Sequence, residues 1–105
     1  MNSDNILKEM FSALKLQLGD EYKRAQKQID IILEMREQRL KKLVDKRISG
    51  EISAADFSSY LEDENDALVA EFNTATVIGK AAAQRAVNAA LNVLNNAIDK
   101  ALGAL

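Results

Sequence analysis

The residues best equipped for chemistry crowd the middle of the chain. Arg36, Arg39, Lys41, Lys42, Lys46 and Arg47 form a basic run that could serve as a phosphate-binding face. Residues 1–50 hold 11 Lys and Arg against 8 Asp and Glu, whereas residues 51–105 hold 3 against 8. The basic run is therefore expected to meet Asp56, Glu62, Asp63, Glu64 and Asp66 on a neighbouring helix, where complementary charge favours one pairing and register. A net charge of −2 and the lack of aromatic residues within the run weigh against nucleic acid as a partner.

The segment Asp45 to Asp56 has the outline of a calcium loop, with Asp first, Ser fifth, Gly sixth, Ile eighth, Ser53 ninth and an acid twelfth. Its third position is Arg47, a cation where an oxygen ligand is needed, and Asp56 is shorter than the usual bidentate Glu. Glu34 with Glu37 and Glu62 with Asp66 have helix-face spacing, yet bundle metal sites add Glu-x-x-His motifs, and the chain has no His. These acids are read as solvated faces. Tyr22 and Tyr60 fit the apolar seams. No Gly-rich phosphate loop and no nucleophile with a base is present. Without His or Cys the chain lacks the commonest general base, a thiol nucleophile and thiolate metal ligands. The expectation is a non-enzymatic protein with no cofactor and no metal.

The same segment carries the clearest structural signal. Gly50 supplies the left-handed residue that ends many helices. Ser53 is placed to cap the next helix, with Asp56 three residues on and Ile52 and Phe57 able to close a hydrophobic staple. This Gly50-Glu51-Ile52-Ser53-Ala54-Ala55-Asp56-Phe57 run is similar to the turn of the short bacterial SHOCT domains, a resemblance confined to the turn and its flanks. It implies an oligomerisation module.

Composition points to helices on both sides of that turn: no Pro, few Gly, and an excess of Ala, Leu, Lys, Glu, Gln and Asn. The apolar residues recur in steps of eleven. Leu7, Leu18, Ile29 and Leu40 form one series and Phe11, Tyr22, Leu33 and Val44 another. Beyond the turn come Leu61, Phe72, Ala83, Leu94 and Leu105, flanked by Phe57, Leu68, Gly79, Ala90 and Ala101. Eleven residues make about 3.67 per turn, which keeps a seam nearly straight along a helix. Because the series run through Gly19 and Gly79, the reading is one all-α domain over residues 1–105. It is a long antiparallel helical hairpin of the coiled-coil kind, with a helix over about 4–49, a turn at 50–53 and a helix over about 54–102. The first helix would be roughly 68 Å long. Asn73, Thr74 and Thr76 make a kink more natural at Gly79 than at Gly19. A bundle of four short helices is the second choice, since single-residue reversals at Gly19 and Gly79 are too short.

Folding about residue 51 sets Phe11 near Leu91, Leu18 near Ala83 and Gln84, Ile29 near Phe72, and Val44 near Phe57. Bulky side chains of the first half then face the Ala-rich second half. Two helices cannot enclose a core. Ile31, Ile32, Met35, Leu43, Val69, Val77, Ile78, Val87, Val93 and Ile98 would stay partly wet, so a dimer forming a four-helix bundle is expected. Interface positions are Leu7, Phe11, Leu14, Leu18, Ile29, Leu33, Leu40, Phe57, Leu61, Leu68, Phe72, Leu94 and Ile98.

The functional expectation is a self-associating structural or protein-interaction module, with another helical protein as a further partner. Alternatives are an assembly subunit of a phage or secretion apparatus, or a membrane-surface binder using Ile78 to Leu105 as an amphipathic helix. Met1 to Asn5 open no signal peptide, and Ala86 to Ile98 is too short and too rich in Asn to span a bilayer. Cytoplasmic location is the default, with a virion or secreted assembly left open.

Overall fold

A computed structural model describes residues 3–76 and 78–103, so Val77 and Leu105, named in the apolar patterns, lie outside it, as do Met1, Asn2 and Ala104. The described chain is all-helical: α1 (Ser3–Leu18), α2 (Asp20–Arg24), α3 (Gln26–Ile48), α4 (Ala54–Ala75) and α5 (Lys80–Ala101). Cross-helix pairs give the directions. Asp4 reaches Lys41 at 3.1 Å and Lys15 reaches Asp30 at 3.4 Å, so α1 and α3 are antiparallel. Arg36 reaches Glu71 while Arg39 reaches Glu64, so α3 and α4 are antiparallel, and Asn65 pairs with Gln84 and Asn88 while Asn73 reaches Ile78 just before α5, so α4 and α5 are antiparallel too. Helices α1 and α5 close the ring while α1 and α4 stand on the diagonal. One chain thus makes an up-down-up-down four-helix bundle.

The long hairpin is corrected at both outer glycines. The largest dimension is 38 Å, far short of the rod that a helix over 4–49 would form. At Gly19 φ is 56° and ψ is −120°, a conformation that side-chain-bearing residues avoid. The chain then takes the short α2 and leaves it through Ala25, with φ −123° and ψ 24°. The reversal is therefore spread over Gly19 to Ala25, not over a single residue, which answers the objection that the connection is too short. The apolar series survives because α1 and α3 both turn their stripes toward a common core. Leu7, Leu18, Ile29 and Leu40 are all buried although the chain has changed direction between them.

Between Ala75 and Lys80 the backbone is redirected again. Thr76 is extended, its hydroxyl donates to the Phe72 carbonyl and accepts from the Ile78 N–H at 3.0 Å, and Asn73 Nδ2 donates to the Ile78 carbonyl at 3.4 Å. The Thr76 hydroxyl thus satisfies a carbonyl in the last turn of α4 and the Ile78 amide beyond it, and Asn73 ties the Ile78 carbonyl back to the helix. Gly79 precedes α5 at φ −67°.

The central turn has its expected glycine stop and serine cap. Gly50 sits at φ 83°, its N–H donates to the Arg47 carbonyl at 3.2 Å, and the Glu51 N–H donates to the Lys46 carbonyl at 2.9 Å. That pair of bonds is a Schellman closure of α3. Ser53 Oγ accepts from the Asp56 N–H at 3.1 Å and caps α4. Phe57 is buried and Ile52 packs against the core.

Packing follows size. Ile6, Leu7, Met10, Leu14 and Leu18 are buried on α1, and Ala83, Ala86, Val87, Ala90 and Ala97 on α5. Helices α1 and α5 share the most extensive contact of any helix pair. Small residues allow the backbones together and the large ones fill the remaining volume. Part of the expected pairing of bulky first half with Ala-rich second half is thus realised within one chain.

Candidate functional site

Polar groups concentrate where α3 faces α4. The central turn fixes the register of the two helices, and Arg36 and Arg39, three residues apart on α3, come opposite Glu64 and Glu71, two turns apart on α4. Arg36 Nη1 donates to Glu64 Oε2 at 3.2 Å, its Nη2 is bonded to Glu71 Oε1, and Arg39 Nε stands 2.7 Å from Glu64 Oε1. Glu64 is 5% exposed. The hydrogen bond that Arg36 donates to Glu71 does most to hold its guanidinium above the ordinary arginine range; partial burial opposes, and the charges of Glu71 and Glu64 add to the rise. Both oxygens of Glu64 are engaged by guanidinium groups. Such a cluster selects a register and does not offer a free base.

Toward the central turn, the same seam opens into a groove of about 300 Å³. Lys42 and Lys46 line one wall, Tyr60 and Asp63 the other, with Leu43 and Ile52 between them. The basic run is thus divided. Arg36 and Arg39 are tied to α4, while Lys41 turns to Asp4 on α1, whose hydrogen bond raises the lysine pKa above its usual value. Among the described residues no ion pair holds Lys42, Lys46 or Arg47, nor Asp56, Glu62, Asp63 or Asp66. Of the five acids expected opposite the run, Glu64 is the one that takes it up. Glu71, which the sequence reading left out, takes the place of the others.

The positions expected at an interface between copies have another setting. Leu7, Leu14, Leu18, Ile29, Leu33, Leu40, Phe57, Leu61, Leu68, Phe72, Leu94 and Ile98 are buried within the single chain, and Phe11 is half-buried against the same core. The cover expected from a second copy comes from the chain's own other helices. Of the flanking residues expected to stay wet, Ile32, Val69, Ile78, Val87 and Ile98 are buried and Leu43 and Val93 half-buried. Ile31 and Met35 remain outside, 51% and 73% exposed, one turn apart on the outer face of α3. Leu16, on α1, is 85% exposed. Its alternation with Leu14 and Leu18, every second residue, is the sequence signal for a leucine that a helix must turn outward.

Other constellations are structural. Tyr22 OH donates to Asp30 Oδ1 at 2.9 Å, and Lys15 lies 5.3 Å from the centre of the Tyr22 ring, so the tyrosine pins the first reversal. Glu34, Glu37, Glu62 and Asp66 are exposed. In the segment with the outline of a calcium loop, the Ser53 hydroxyl is occupied by the cap. Among the described residues no group of three acidic side chains could hold a metal ion, and no helix is long and apolar enough to cross a membrane. Comparison with protein-family models, curated proteins and solved structures finds no match to this chain.

Proposed function

We propose that this chain is a non-enzymatic helical-bundle module that works by binding proteins, first of all copies of itself. The observation that carries the reading is the exposure of Ile31 and Met35, one turn apart on the outer face of α3. Large apolar side chains grouped on one face are the usual mark of a contact surface. The absence of His and Cys from the sequence removes the commonest general base and the thiol nucleophile.

The two alternatives draw less support. A polymer built through the Ala-rich half would need Ala83, Ala86, Ala90 and Ala97 free, and these are buried. A membrane-surface helix formed from α5 would have to leave the most extensive helix–helix contact of the bundle. The test is sedimentation equilibrium across the micromolar range. The expected result is a mass that rises with concentration to a discrete oligomer; a monomer throughout, with unchanged helical circular dichroism, would remove the self-association.

A further inference from the structure

Resting on that self-association, we infer that two copies join through the α3–α4 face. The dimer axis runs parallel to the helices, so α3 of each copy lies along α4 of the other.

The outer stripe of α3, at helical spacing, is Gln28, Ile31, Met35, Gln38, Lys42 and Lys46, all exposed and free of acid. The outer stripe of α4 is Asp56, Ser59, Asp63, Ala67, Ala70 and Thr74, mostly exposed and free of base. One stripe is bulky and basic. Its neighbour is small and acidic. Two such stripes side by side on one molecule complement each other when a second copy is turned to face the first.

The intrachain ion pairs supply the heights. Arg36 reaches both Glu64 and Glu71, and Arg39 reaches Glu64, so these stretches of α3 and α4 are level. Rotation about an axis parallel to the helices preserves height, and each α3 meets the other copy's α4 in the register and the antiparallel sense found within the chain. Met35 then comes level with Ala67 and Ala70. Ile31 comes level with Ala70 and Thr74, beside a depression of about 300 Å³ bounded by Ile32, Ala70, Glu71, Thr74 and Ala75. Toward the central turn, Lys42 and Lys46 come level with Asp63 and Asp56, four residues that no intrachain ion pair engages among the described residues. Large thus meets small and basic meets acidic, twice by symmetry. Pairing α3 with α3 about the same parallel axis would set lysine against lysine.

The charges allow a swap. A K42E/K46E chain presents acid from both helices and a D56K/D63K chain presents base from both, so each repels its own kind and attracts the other. By sedimentation equilibrium, with folding followed by circular dichroism, wild type should be a dimer and each double variant a monomer, with at least a tenfold loss of affinity. Their equimolar mixture should regain the dimer mass. Independently, Met35→Asp should give a monomer and Leu16→Asp, on α1 outside this face, should leave the dimer intact. A wild-type dimer indifferent to the charge variants and to Met35→Asp, or one lost with Leu16→Asp, would overturn this face while leaving self-association standing. A monomeric wild type would remove both.

Discussion

Helices α1 and α5 are held by the fit of large apolar residues to small ones, whereas α3 and α4 are held in register by guanidinium–carboxylate pairs over a groove. The difference separates stability from specificity. Apolar burial supplies most of the free energy of a bundle, but a stripe of Leu, Ile and Ala can slide. A buried acid with two arginine partners cannot slide without losing them, since an uncompensated buried charge is costly. The tight pair therefore anchors the fold, and the polar pair sets the alignment of the face that α3 and α4 present to solvent.

The largest expected effect breaks the tight pair. Leu14→Ala should lower the free energy of unfolding by about 2–5 kcal/mol in denaturant titrations, since the site is completely covered and its cavity can only partly collapse. Gly19→Ala should cost about 1–3 kcal/mol through backbone strain alone, because an added Cβ would meet nothing closer than the Leu16 carbonyl oxygen at 4.0 Å. Glu64→Gln should cost about 1–3 kcal/mol, since Arg36 keeps Glu71 but Arg39 loses its charged partner. A double-mutant cycle with Arg36→Met should give a coupling of about 1 kcal/mol or more. If Glu64→Gln proved as damaging as Leu14→Ala, the division between anchoring pair and aligning pair would fail.

Two smaller effects sharpen the contrast. Gly79 occupies a cap position at φ −67° with open space where a Cβ would go, so Gly79→Ser should stabilise by a few tenths of a kcal/mol, about 0.3 in thermal melts. The two outer glycines would then respond with opposite signs. Lys41 has its pKa raised in the folded chain, first by its hydrogen bond to Asp4, so the pair's contribution is fully present below the ordinary lysine value of 10.5. It is lost as pH rises through the folded value. The difference between wild type and Lys41→Gln should accordingly persist at neutral pH and vanish in strongly alkaline solution.

Much of the central turn was legible from residue identity because its determinants are local. Gly50 must be left-handed, Ser53 caps the amide three residues on, and Phe57 follows at the spacing of a staple. The eleven-residue series also picked out buried positions from Leu7 to Leu94. What the series could not convey was chain direction. A stripe facing a shared core repeats with nearly the same period whether the helix continues or folds back, and Gly19 is compatible with either. The Lys41 partner was equally out of reach, since Asp4 comes beside it only after the chain has reversed at Gly19 to Ala25.

By itself the sequence determined that the chain is helical, that its centre turns at Gly50, and which side chains are apolar enough to be buried, because capping and helical periodicity act over a few residues. Tertiary structure decided that one chain folds into four long helices, that Glu64 and Glu71 share Arg36, and that Ile31 and Met35 stay outside. Those outcomes depend on which helices face one another, and two short reversals govern that choice.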